Sequence, residues 1–99
     1  MSKVIIKLAP TSLRADIYFA DDKAKLAAKW LPLYEIHDPI MMSEAGLYAA
    51  EEAFDLTNNP SREEERDAFY GRHRSVSTGD IVEVDGTNYL CGSFGWITM

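Results

Sequence analysis

The chain has one cysteine, Cys91, so no intramolecular disulfide can staple it. It has no apolar run near the ~20 residues that would span a bilayer, and no membrane contact is expected. No secretory leader precedes its first apolar segment, so a cytoplasmic protein is the expectation. No internal repeat or low-complexity tract is visible, which argues against a solenoid. Positive charge is scarce: 10 Lys and Arg stand against 16 Asp and Glu, a formal net charge of −6. An acidic chain gains little from counterion release, so generic DNA or RNA binding is disfavoured. Its two histidines, His37 and His73, stand far apart, without paired cysteines or a short His–His spacing, so no metal site and no cofactor is expected. No G-x-S-x-G nucleophile turn occurs.

The 99 residues, 46 % hydrophobic and 26 % charged, suit one folded domain over 1–99. The acidity sits in the middle. Residues 43–70 hold eight acids (Glu44, Glu51, Glu52, Asp55, Glu63, Glu64, Glu65 and Asp67) against Arg62 and Arg66. Eight acids shared with a core-packing helix are sparse for a mimic of DNA, which carries about one charge per 1.7 Å of axis. A solvated helix face with close pairs such as Arg62–Glu65 is the plainer reading. An acidic patch that meets a basic protein surface is the functional one.

Residues 3–8, KVIIKL, read as a central strand ended by Pro10. Residues 16–20, DIYFA, read as a second short strand. Asp21 or Asp22 then caps a helix through DKAKLAAKWL that Pro32 stops. Leu33 to Asp38 alternate as a strand ended by Pro39. Ser43 and Glu44 suit the start of the clearest helix, which places Leu47, Ala50 and Phe54 on one face and ends near Asn58-Asn59-Pro60. A shorter helix over 61–70 has Ser61 as its cap, Glu64 in the capping-box position and Gly71 beyond its end, with an acidic loop as the competing reading. Asp85-Gly86 between alternating apolar residues predicts a type I′ hairpin with pairs Val84–Thr87, Glu83–Asn88, Val82–Tyr89 and Ile81–Leu90. Val82, Val84, Tyr89 and Cys91 would then face the core, where a thiol is an inert packing group and not a nucleophile. Gly92 and Gly95 predict a bend before Trp96 and Ile97. These elements give an α+β fold: a small, mostly antiparallel sheet with a C-terminal β-hairpin, covered on one face by two or three helices.

The run Arg74-Ser75-Val76-Ser77-Thr78-Gly79-Asp80-Ile81-Val82, with Glu52-Ala53-Phe54 and Asn58-Asn59-Pro60 before it and Gly86, Tyr89 and Ser93-Phe94-Gly95 after it, resembles the signature of the YodL-like domain family. Tyr34-Glu35-Ile36 resembles an upstream strand of that family. The resemblance covers about half the chain; the first 30 residues add nothing to it. It implies a setting among phage, plasmid and other mobile genetic elements, often near anti-defence functions. It implies no established reaction and supplies no catalytic residues.

The Arg72–Asp80 run has two readings. In one, Arg72, Arg74, Ser75, Ser77 and Asp80 grip a partner's phosphate, carboxylate or backbone. In the other, the serines close a turn, Gly79 takes positive φ and Asp80 pairs with Arg74; the residue types favour this one. Phe69 and Tyr70 are flanked by charges and are expected at the surface as partner contacts. With Glu51, Glu52 and Asp55 they complete the expected contact surface. The expectation is thus a non-enzymatic inhibitor of a host protein, such as a restriction or CRISPR component. The alternative is a nucleic-acid or phosphate-ligand domain acting through Arg72–Asp80. An exposed hydrophobic edge at the first strand or Trp96 would favour a homodimer.

Overall fold

Strand β1 (Ser2–Leu8) is the axis of the computed structural model, which describes residues 1–99. One edge pairs with β4 (Ile81–Val84). The other pairs in series with two short strands, β2 (Glu35–Ile36) and β3 (Ile40–Met42), so Val4 lies between Val84 and Ile40 and Lys7 between Ile81 and Ile36. Strands β5 (Thr87–Cys91) and β6 (Trp96–Thr98) extend the sheet beyond β4, in the order β2-β1-β4-β5-β6, and every pairing is antiparallel. The hairpin register has the four expected pairs. Asp85 (φ 48°) and Gly86 (φ 90°) are both left-handed, as a I′ turn demands.

The fold is α+β, and its helices lie on two faces where one was expected. Alternation along the strands sends Val4, Ile6, Leu8, Val82, Val84 and Cys91 to one side. There they meet Ala49, Ala50, Ala53 and Leu56 of α3 (Gly46–Asn58). Ile81 and Leu90 point the other way, against Leu13 and Ile17 of α1 (Thr11–Phe19) and Ala27 of α2 (Lys23–Trp30). Both neighbours in the Ile81-Val82 pair are apolar, so each face of β4 needs cover. On that second face Lys7 is buried, its ammonium held by Glu83 Oε1 and Asn88 Oδ1, each at 3.0 Å. These two partners, neighbours across β4 and β5, compensate the desolvation that burial imposes on the charge.

Helix α1 replaces the strand expected over 16–20. Ile17, Tyr18 and Phe19 have strand propensity, but Leu13 and Ile17 stand four apart and bury together only if the segment is helical. Lys23 closes its end: its ammonium donates to the carbonyls of Ile17 and Ala20, both at 3.1 Å. Asp22 caps α2 as expected, its Oδ1 accepting from Lys25 N at 3.0 Å. Pro32 then lies in a 3₁₀ turn, Leu31–Leu33. The strand expected over 33–38 shrinks to Glu35–Ile36, because this turn takes its start and His37-Asp38-Pro39 breaks the pairing. It resumes as β3, which the sequence did not announce.

Helix α3 begins at Gly46, not at Ser43. Met42 is still paired to Ser2, and the chain turns through Gly46 at φ 55° before it coils. Its end at Asn58-Asn59-Pro60 is as expected. A 3₁₀ turn, Pro60–Arg62, leads into α4 (Glu63–Phe69), and the cap falls to Asn59, whose Oδ1 accepts from Ser61 N at 3.0 Å, not to Ser61. Gly71 follows at φ 91°, the left-handed step that ends such a helix. No helix is long and apolar enough to cross a membrane.

Candidate interaction surface and the loop beneath it

The Arg72–Asp80 run winds from α4 to β4 around one carboxylate. Asp80 has no solvent exposure. Its Oδ1 accepts from Ala9 N and Arg74 Nη2, both at 2.8 Å. Its Oδ2 accepts from Arg74 Nη1 at 2.6 Å and Ser77 N at 2.8 Å. Four donors leave a buried carboxylate well compensated, and the fork geometry of arginine supplies two of them. The hydrogen bond to Asp80 in turn raises the pKa of Arg74. Arg74 Nη2 also donates to Ala9 O at 3.0 Å, which ties the loop to the end of β1.

Further bonds fix the loop to its surroundings. Ser75 Oγ donates to Thr57 O at 2.7 Å, Val76 N to Thr57 Oγ1 at 3.1 Å, and Asn58 Nδ2 to Val76 O at 2.9 Å. Ser77 Oγ receives the guanidinium of Arg14. The Tyr34 hydroxyl donates to Gly79 O and the Tyr70 hydroxyl to Arg74 O, both at 2.6 Å. Burial, then the charge of Asp80, pushes both phenols above the ordinary tyrosine range. Gly79 has φ 95° and lies under Arg14 and Ile17 of α1. Arg74, Ser75, Ser77 and Asp80 thus have internal partners, whereas Arg72 extends into solvent.

Tyr70 departs from its expected place at the surface. Its ring packs into the main core while Phe69, its neighbour, is exposed. The reason is the hydroxyl bond to Arg74 O, which holds the side chain inward. Helix α3 turns Leu47, Tyr48, Glu51, Phe54, Asp55 and Asn58 outward, opposite its alanines, and Tyr48 is 71 % exposed. Arg62 gathers three of the acids: Asp55 at 3.0 Å, Glu65 at 2.8 Å and Glu52 at 3.7 Å. Its hydrogen bond lowers the pKa of Glu65. Glu44, Glu51, Glu63, Glu64 and Asp67 form no ion pair and carry the free charge of this region. Cys91 lies on the inward side of β5 as expected, and burial pushes its thiol up to about 11.

The structure brings His37 and His73 together beside Glu35, although the sequence separates them. Their ring centroids lie 4.1 Å apart, and the Tyr70 ring stands edge-on to both. At the other end of the molecule a groove of about 540 Å³ opens between Tyr18, Lys23, Phe94 and Trp96. One edge of the sheet is β6, with Trp96 half-buried, and the other is formed by β2 and β3, whereas β1 is paired along both sides. No protein-family model matches the chain, and neither does a curated protein or a solved structure.

Proposed function

We propose that the chain is a non-enzymatic protein-binding module that acts through the outward face of α3 and the adjoining α4. The observation that carries this reading is the exposed stripe of Leu47, Tyr48 and Phe54 along α3; Phe69 on α4 is exposed as well. Large apolar side chains held on a helical scaffold are the anchors that protein interfaces use. The unpaired acids Glu51, Glu63, Glu64 and Asp67 add a negative field that speeds encounter with a basic surface. The resemblance to YodL-like domains makes a host defence protein, a restriction or CRISPR component in the cytoplasm, the first class of partner to try.

The competing reading, a phosphate or nucleic-acid grip by Arg72–Asp80, has little to work with. The Arg74 guanidinium is engaged by Asp80, which leaves Arg72 as the loop's exposed arginine.

Affinity capture with the wild type and a Tyr48→Ala/Glu51→Lys variant tests the proposal. These positions are chosen because reversing Glu52 or Asp55 would also break the Arg62 cluster. A basic protein retained by the wild type, lost by the variant and confirmed with purified components supports the module. A partner held equally by both, with unchanged circular dichroism, removes this face from the account.

A further inference from the structure

We propose that Glu35, His37 and His73 form a binding site for a divalent transition-metal ion of the zinc type. One donor atom from each residue lies within 4.8 Å of the other two. His37 Nε2 and Glu35 Oε2 are already 3.6 Å apart. Zinc bonds of about 2.0–2.2 Å at tetrahedral angles place neighbouring donors about 3.3–3.5 Å apart, so this pair needs only a small contraction. The third ligand reaches the same spacing by movement of side chains that are open to solvent: Glu35 and His73 are exposed, which also gives an ion its entry path.

A second observation points the same way. His37 Nε2 is shielded from solvent and has no hydrogen-bond partner. A buried polar atom without a partner is rare and calls for an explanation. A ring nitrogen that faces a carboxylate and a second imidazole has one in a shared cation.

The fold holds the three residues in place by means unrelated to a metal. His37 sits at the break between β2 and β3, where its backbone N–H donates to Ile6 O at 3.0 Å. His73 comes two residues after the left-handed turn at Gly71. Tyr70, anchored by its hydroxyl, forms a wall against both rings, at 5.4 and 5.3 Å between centroids. The His37 ring is therefore held in place and only the exposed Glu35 and His73 side chains must adjust, which lowers the ordering cost of binding.

The donor set decides the ion. Two imidazole nitrogens and one carboxylate suit zinc and its d-block neighbours, whereas calcium and magnesium prefer oxygen ligands throughout. Three protein ligands leave a fourth position, which water or a side chain of a bound protein would fill.

The test uses the full chain, without a histidine tag, stripped by a chelator and titrated calorimetrically with zinc chloride. The expected result is one equivalent bound, with the imidazole ¹⁵N resonances of His37 and His73 shifting together and a tenfold excess of magnesium chloride (roughly that, at matched ionic strength) leaving the curve unchanged. His73→Ala removes an exposed side chain and should keep the fold by circular dichroism while weakening zinc binding by more than about tenfold, since even outer-shell changes cost that much. Glu35→Gln should weaken it in the same direction. No saturable zinc binding, or binding that His73→Ala leaves unchanged, overturns the proposal. Partner capture by the α3 face is independent of either result.

Discussion

At Asp80 two demands meet: a charge fully out of water, and four hydrogen-bond donors converging on it from Ala9 just past β1, from Ser77 and from Arg74. Removing the carboxylate would strand the guanidinium of Arg74 and the amides of Ala9 and Ser77. Asp80→Ala should therefore cost about 3–5 kcal/mol, read as a lower urea midpoint, and Asp80→Asn distinctly less because it keeps the shape and some acceptors. Alkali probes other single residues. The unfolded thiol of Cys91 ionises near its ordinary value of 9.0, while the folded one holds its proton to about 11. Tyr34 and Tyr70 are shifted in the same direction. The native state therefore binds more protons than the unfolded one in this range, so stability is intact below about pH 9 and falls as the pH rises. Urea midpoints that stay level or rise across this window would contradict the burial of these groups. These placements were partly legible. The Arg74–Asp80 pair followed from turn-forming residue types, whereas the inward turn of Tyr70 depends on a bond to a carbonyl that no local pattern reveals.

Among the elements, the β4–β5 hairpin is the one whose local chemistry suffices. Gly86 has no neighbour within 4 Å of where a Cβ would sit, so its φ of 90° is the sole reason for glycine there. Gly86→Val should cost about 1–2 kcal/mol, the penalty for a left-handed L-residue, with the fold unchanged by NMR chemical shifts. A neutral substitution would show that the turn relaxes to another type. Helix α1 is the opposite case. Read alone, Asp16 to Ala20 favours a strand; in the molecule, Leu13 and Ile17 must both reach the sheet, and coil spacing is what lets them. Helix α3 shows a third relation. Its end was legible, but its start and its buried face were not. Strand β3 keeps Met42 in the sheet and postpones the helix to Gly46. Ala49, Ala50, Ala53 and Leu56 face the core, while Leu47 and Phe54, expected on one face with Ala50, turn outward with Glu51 and Asp55.

On the scale of the whole molecule, two cores share one sheet. Ile6 belongs to the α3 side and Ile17 to the α1 side, and both are fully buried. The strands between them are common to both layers, so neither core can melt while the other stays intact. Ile6→Ala and Ile17→Ala should each lower stability by about 2–5 kcal/mol, with a single coincident transition by tryptophan fluorescence and circular dichroism. A separate early transition in Ile17→Ala would mean that the α1–α2 layer unfolds by itself. The same scale governs the candidate sites. The acid-rich stretch was visible as composition, but Arg62 neutralises part of it and only the folded chain shows which carboxylates stay free. The Glu35, His37 and His73 cluster had no sequence signature at all.

The sequence by itself determined what depends on near neighbours along the chain: the hairpin and its register, the Asp22 cap, the left-handed glycines and the excess of negative charge. Those choices are made by backbone conformation and short-range hydrogen bonds. The tertiary structure decided what needs residues from distant segments: helices on both sheet faces, the helical state of α1, the burial of Tyr70 and the meeting of His37 with His73. Burial and long-range pairing belong to the packed whole, so no window of sequence contains them.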